Sequence, residues 1–346
     1  MKALVLKSNA HLEYREVSTP EPLTEKSYLI RVKACGICGS DLHRAFENGA
    51  YHYPLIMGHE FSGIVEEGFE GAIYRKGTPV TAFPLIPCRK CKPCQVGDFA
   101  QCQNYNYLGS RTDGAFAEFV YVPEENLFPL PPGVDFIEAA MTEPAAVALH
   151  GVRKLSILGG ETAAVFGGGP IGNMVAQFLR YRGCERIFVV DIDNKKLSIA
   201  ESMGFIPVDS SKENPVEKIM KLTDGEGAQK VIEACGLPVT YLQSIKSVSR
   251  KGEVVLLGNI SGELKLGRDD VSSLLRKEIK LYGTWNSKIV PKGEDDWSTV
   301  LRLINNKELK LKPLVSHTPP LEEGAKIFSK LYQKKEFFNK VIFRMD

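Results

Sequence analysis

Between Cys35 and His43 the chain reads Cys-Gly-Ile-Cys-Gly-Ser-Asp-Leu-His, which packs thiols, a hydroxyl, a carboxylate and an imidazole into one short turn. A second polar cluster, Gly58-His59-Glu60, runs straight into the apolar stretch Phe61-Ser62-Gly63-Ile64-Val65. Cys38 and His59 are soft and borderline ligands that suit zinc, and Glu60 with the distant Glu143 can complete a coordination sphere. Ser40 and His43 are spaced to hand a proton from the metal site to water, and Ser40 is also placed to cap a helix running from Asp41. Asp41 is suited to orienting His59 by accepting its second ring N–H. Together these residues predict a catalytic zinc site. Its charge count carries a warning, because a thiolate and two carboxylates leave one zinc ion with a net negative site and weaker Lewis acidity. One carboxylate is therefore expected to reach the metal only through water in some states.

A different set, Cys88-Arg89-Lys90-Cys91-Lys92-Pro93-Cys94 followed by Cys102, leaves gaps of two, two and seven residues. Four thiolates at this spacing close around one tetrahedral zinc with no open position, stapling a loop that has little core of its own. An iron–sulfur cluster is the lesser alternative. Cys35 and Cys38 also form a CxxC pair, but no thioredoxin-like βαβ unit surrounds it, so Cys35 is read as strand packing.

The elements that must position these groups change character along the chain. Runs such as Met1–Lys7, Tyr28–Ala34, Phe61–Glu66 and Phe116–Val122 are short, β-branched or aromatic, and divided by Gly and Pro, which predicts a β-rich, partly barrel-like domain. A helical pattern begins near Phe136 and carries Met141-Thr142-Glu143-Pro144 within it. From Thr162 to Gly258 strands and helices alternate. Gly167-Gly168-Gly169-Pro170-Ile171-Gly172 joins one strand to a helix, and Asp191 ends the next strand nineteen positions after the last glycine. This is G-x-G-x-x-G in the context it requires, and it predicts dinucleotide binding. Gly167 makes the turn, Gly169 admits the pyrophosphate, Gly172 permits close packing, and the helix start at Pro170 and Ile171 supplies N–H groups. Asp191 can accept ribose hydroxyls and would repel a 2′-phosphate, which favours NAD over NADP. Later strands end at Cys235 and Gly258, where the nicotinamide is expected.

Composition excludes several classes. A length of 346 residues exceeds what one core usually organises, so two domains are expected. The formal net charge of +2 gives no electrostatic case for nucleic acid or an anionic membrane. No apolar run approaches a membrane span and MKALVLKSNA lacks a signal-peptide core, so a cytoplasmic location is expected.

The Gly58-His59-Glu60 element, the four-cysteine lobe, Glu143-Pro144 and the glycine fingerprint together resemble the zinc-dependent medium-chain dehydrogenases, essentially end to end. Within them the chain is similar to the polyol dehydrogenases, through Glu60 and Glu143 and through Asn48–Pro54, Gly109–Gly114, Leu275–Glu278 and Gly283-Thr284-Trp285. The resemblance implies an α/β architecture: a doubly wound Rossmann NAD-binding domain over residues 144–284, inserted in a β-rich GroES-like catalytic domain formed by 1–143 and 285–346. The structural-zinc lobe would fill residues 85–105. Two zinc ions per subunit are implied, one catalytic and one structural. The implied substrate is a sugar alcohol or its phosphate, oxidised at a secondary hydroxyl to a ketose. Sorbitol or xylitol, threonine and 2,3-butanediol dehydrogenases share the ligands, and Arg111, Lys288 and Lys292 are candidate partners for a substrate phosphate. The proton would leave through Ser40, then through His43 or a cofactor ribose hydroxyl. A homodimer or homotetramer joined through the cofactor domains is also implied. A non-catalytic nucleotide-binding protein is the alternative from another class, and it is disfavoured because no ligand or relay residue is missing.

Overall fold

The computed structural model describes residues 1–290 and 293–345; Lys292, one of the candidate cations, lies outside the described residues. The chain divides into two compact units, Met1–Pro144 with Ser287–Asp346, and Ala145–Asn286.

In the first unit, the strand Ser27–Gly36 is the hub of the larger sheet. Its β-branched and aromatic side chains suit a pleated surface that is buried along most of its length. It pairs antiparallel with Glu60–Glu67 along one edge. Its other edge pairs with Phe119–Pro123 toward the start and with Lys340–Arg344 toward the end. The last strand of the chain thus returns to the β-rich sheet, beside the residues that precede Cys38. Leu4, Val32, Cys35, Phe61, Phe116, Phe328 and Phe343 share one buried core, each large side chain adding roughly 1.5–3 kcal/mol. Trp297, at the start of the helix Asp296–Asn305, is fully buried, stacks on Phe128 at 5.2 Å and meets Phe83 edge-on at 5.7 Å.

The second unit is a parallel six-stranded sheet. Its spatial order is Ile206–Asp209, Arg186–Asp191, Thr162–Phe166, Ala228–Glu233, Val248–Leu256, Lys280–Gly283. The chain winds outward from Thr162–Phe166 in one direction and then the other, which is the doubly wound Rossmann arrangement with its switch point at that strand. Unbroken apolar runs such as Ile187-Phe188-Val189-Val190 are what strands covered on both faces require.

Two local expectations need correction. The helical pattern near Phe136 is not continuous: one helix spans Phe136–Ala140 and a second spans Thr142–Val152. Pro144 explains the break, because its ring would clash with the carbonyl of Ala140 in a continuous helix but is tolerated in a first turn. Ser40 does not cap a helix that starts at Asp41. The helix spans Gly39–Phe46 and its cap is Cys38, whose backbone N–H donates to Asp41 Oδ2 at 3.0 Å.

Candidate active site

The strand hub ends at Gly36, the chain turns through Ile37, and Cys38 stands at the start of the helix Gly39–Phe46. Next to it, Glu60 begins the neighbouring strand in register with Gly36. This brings ligand atoms of Cys38, His59 and Glu60 within 4.8 Å of one another, although His59 lies 21 positions after Cys38. His59 and Glu60 are almost entirely buried. Glu143, also buried, stands outside that trio and accepts a hydrogen bond from the Tyr107 hydroxyl at 3.3 Å. Burial pushes the Glu143 carboxyl up to about 7, a protonation that a bound divalent cation would reverse.

Asp41 lies under this cluster with no exposure. Its Oδ1 accepts from Arg44 Nη1 at 2.9 Å and stands 3.5 Å from His59 Nδ1. At that separation the His59 Nδ1 position has no formed hydrogen bond, so the pair is poised rather than closed. Burial opposes a charged His59, yet Asp41 and Cys38 raise its pKa well above the ordinary value. Burial likewise opposes the Asp41 carboxylate, and His59 and Arg44 overcome it to lower its pKa. A buried imidazole with one nitrogen facing a carboxylate and the other available is the donor arrangement that zinc ligation uses.

Ser40 and His43 stand one turn apart on the same helix. Ser40 Oγ accepts from Arg44 Nη1 at 2.9 Å, while His43 is exposed and its Nδ1 lies 2.9 Å from Glu47 Oε2. Sequence reasoning missed three neighbours. Arg44 follows Ser40 and Asp41 at helical spacing, a signal available in the sequence. Tyr107 packs edge-on against His59 at 5.7 Å between ring centroids. Lys340, 280 residues from Glu60, ion-pairs with that carboxylate in the interior and donates to the Ile37 carbonyl at 2.9 Å. Burial opposes the Lys340 charge, but Glu60 and Cys38 raise its pKa.

The second cysteine set comes together as one cluster. The sulfurs of Cys88, Cys91, Cys94 and Cys102 lie within 4.8 Å of one another, with Cys91 3.5 Å from Cys94 and 3.9 Å from Cys102. A tetrahedron with Zn–S bonds of about 2.3 Å has edges of about 3.8 Å, so these sulfurs already stand near zinc spacing. Backbone N–H groups of Lys90 and Cys91 lower the Cys88 thiol to about 6, favouring the thiolate a metal needs.

In the second unit the glycine turn links Thr162–Phe166 to the helix Pro170–Tyr181. Gly167 adopts φ +112, and a Cβ on Gly172 would collide with the Gly167 carbonyl. Only glycine allows this backbone here. Nothing lies within 4 Å of where a Gly169 Cβ would be, leaving that side open for a phosphate. Asp191 accepts from Gly168 N at 2.7 Å and Asp193 N at 2.9 Å, so each oxygen keeps a lone pair for a ribose hydroxyl. Asn173, unremarked in the sequence, donates to the Gly168 carbonyl at 2.6 Å and fixes the turn. Cys235 lies against Gly167, and Gly258 abuts Gly236. Buried Glu233 accepts from the backbone N–H groups of Cys235 at 2.9 Å and Gly236 at 3.0 Å.

A Rossmann sheet with a glycine turn, a Cys-His-Glu cluster and a four-thiol cluster define a zinc- and dinucleotide-dependent dehydrogenase. The comparisons agree. Residues 170–306 match the model of the zinc-binding dehydrogenases, and residues 24–132 match the alcohol dehydrogenase GroES-like domain. Galactitol 1-phosphate 5-dehydrogenase of Escherichia coli (strain K12) is 31% identical over 327 residues, 94% of each chain. A crystal structure of galactitol-1-phosphate dehydrogenase from E. coli matches with a TM-score of 0.92 and 29% identity, covering 100% of both chains. Sorbitol dehydrogenase of Halalkalibacterium halodurans is 34% identical over 334 residues, 95% of each chain. A zinc-binding dehydrogenase from Sinorhizobium meliloti 1021 solved with NADP matches with a TM-score of 0.90 and 30% identity, covering 99% of both chains. The chain belongs to the zinc-dependent alcohol dehydrogenase family and is an oxidoreductase of that family. No helix among the described residues is long and apolar enough to cross a membrane.

Proposed function

We propose that this enzyme oxidises a secondary hydroxyl of a polyol phosphate resembling galactitol 1-phosphate to the ketose, with NAD as hydride acceptor. The observation that carries the reading is the cluster of half-buried Cys38 with buried His59 and Glu60 beside the Ser40–His43 helix. Cys38, His59, Glu60 and Glu143 would hold the catalytic zinc, and Cys88, Cys91, Cys94 and Cys102 the structural one. Zinc, when bound, supplies the Lewis acidity that acidifies a substrate hydroxyl.

The protein's own residues do the rest. Arg44 donates to Ser40 Oγ and orients that hydroxyl, which accepts the substrate proton as it gives up its own. A cofactor ribose hydroxyl or His43 carries the proton on, and His43 delivers it to solvent at the exposed end of the route. Asp41 fixes the His59 ring. Gly167, Gly169, Pro170, Ile171 and Gly172 receive the pyrophosphate, Asp191 the ribose, and Cys235 and Gly258 flank the nicotinamide. Arg111, whose guanidinium stacks on Tyr105 at 4.0 Å and on Tyr51 at 4.9 Å, supports a phosphate-bearing substrate. Two of its donors are engaged, by the Tyr105 carbonyl and the Tyr51 hydroxyl, which leaves others for an anion. Lys288, which is exposed, is a second candidate.

The edge strand Lys280–Gly283, with Leu281 and nearby Leu275 and Trp285 exposed, supports a homodimer or homotetramer built on this sheet. The absence of a candidate membrane span among the described residues and the ordinary charge balance support a cytoplasmic enzyme. A second reading, an unphosphorylated polyol such as sorbitol, is favoured by the similarity to a sorbitol dehydrogenase. NADH formation by the zinc-loaded protein separates them. The panel is galactitol 1-phosphate, sorbitol, xylitol, L-threonine, 2,3-butanediol and ethanol, each with NAD and with NADP. Preference for the phosphate ester with NAD is expected. Preference for sorbitol discards the phosphate, and no reduction with any substrate refutes the enzyme reading at this site.

A further inference from the structure

Asn173 lies near the start of the helix Pro170–Tyr181 with no exposure, and Met174, Val175, Ala176, Phe178 and Leu179 around it are buried as well. Its Nδ2 donates to the Gly168 carbonyl at 2.6 Å and to the Gly169 carbonyl at 3.2 Å. Its Oδ1 has no hydrogen-bond partner among the described residues. An unpaired buried acceptor is destabilising, and a leucine of similar size would avoid it. The core gains nothing from an amide at this position; the glycine turn does.

The turn is gripped from its other side by Asp191, whose Oδ2 accepts from Gly168 N at 2.7 Å. Both peptide planes at Gly168 are thereby fixed. The peptide between Gly168 and Gly169 is trans, so its carbonyl and its N–H point in opposite directions. With the carbonyl drawn inward to Asn173, the Gly169 N–H faces outward, on the residue whose side-chain position is open. Pro170 brings no N–H to this turn, which leaves anion recognition to Gly169 and to the helix start beyond the proline. We propose that Asn173 is a positioning residue for the dinucleotide, holding the Gly168–Gly169 peptide so that the Gly169 N–H meets the pyrophosphate. The inference rests on the reading of Gly167–Gly172 as the pyrophosphate turn. A donor already aimed spares the complex the cost of ordering the turn on binding.

Titration calorimetry with NADH and with ADP-ribose tests this on the intact protein, together with displacement of NADH fluorescence by adenosine and denaturant unfolding of the same samples. Asn173→Leu keeps the volume and removes both N–H donors. NADH and ADP-ribose share the pyrophosphate, so both should weaken about 10–100-fold, the contribution of one hydrogen bond to a charged group. Adenosine, which has no phosphate, should bind as it does to the wild type. The unfolding midpoint should hold, because removal of the unpaired oxygen offsets loss of the donors. An amide that served only the packing would give the opposite pattern, a lowered midpoint with the affinities preserved.

A folded Asn173→Leu protein that binds ADP-ribose as the wild type does overturns the proposal, as does a loss of adenosine affinity equal to that of ADP-ribose. Should Asn173→Leu fail to fold, Asn173→Ala decides by the same ratio of ADP-ribose to adenosine affinity. A selective fall for ADP-ribose supports the proposal, and an unchanged ratio overturns it. A wild-type protein that binds neither NADH nor ADP-ribose refutes the pyrophosphate reading and this inference together. Wild-type binding of both, with the wrong response in the variants, refutes the inference alone.

Discussion

Asp41→Asn changes one atom type at a fully buried position and isolates what the carboxylate does for the zinc site. Asp41 Oδ2 accepts from Cys38 N at 3.0 Å, while Oδ1 accepts from Arg44 at 2.9 Å and faces His59 Nδ1 at 3.5 Å. An asparagine offers one oxygen and one amino group. Whichever way the amide turns, the amino group meets either the Cys38 N–H or the Arg44 and His59 N–H groups, so one side becomes a donor facing donors. Losing a buried hydrogen bond to a charged partner costs about 1.5–3 kcal/mol of stability. Losing the carboxylate that orients a ligating histidine typically weakens metal binding about 10–100-fold, or about 1.4–2.7 kcal/mol. The assay is zinc stoichiometry against a graded chelator, with denaturant unfolding on the same samples. The four-cysteine zinc should be retained while the catalytic zinc is lost at lower chelator concentration. A folded Asp41→Asn protein holding both zinc ions within twofold of the wild type would refute the assigned role.

Three further outcomes are expected. Gly172→Ala places a methyl against the Gly167 carbonyl, so NAD affinity by titration calorimetry should fall at least tenfold while both zinc ions remain; unchanged affinity would mean that the turn is not the pyrophosphate site. Trp297→Ala removes a fully buried ring that packs on Phe83 and Phe128 and donates to Ser287 Oγ at 3.0 Å, and should cost about 3–5 kcal/mol in equilibrium unfolding. Burial would raise Glu253, but Lys230 and the backbone of Ser156 hold it down to about 2, below its ordinary 4.5. A depressed carboxylate stabilises the fold above its unfolded pKa and loses that contribution as pH falls toward the folded one. Thermal midpoints should therefore drop between about pH 4.5 and 2, and Glu253→Gln should flatten that part of the curve.

What the sequence determined by itself is what short range and ligand chemistry enforce. The Gly167–Gly172 turn is legible because glycine alone tolerates φ +112 at the first position and the carbonyl contact at the last. The spacing of Cys88, Cys91, Cys94 and Cys102 is legible because a tetrahedral ion accepts few loop lengths. The alternation of strands and helices after Thr162 follows from apolar patterning. Pairings that depend on strand register were not legible. Glu60 meets Lys340 because both flank the end of one strand, a neighbourhood set 280 residues away in sequence. Tyr107 meets Glu143 across 36 residues because packing sets the helix that carries Glu143 beside it. Residue types and spacing named the donors of the zinc site. Only the folded sheet decided which carboxylate has an ammonium beside it, because a charge's partner inside a protein is chosen by packing rather than by sequence distance.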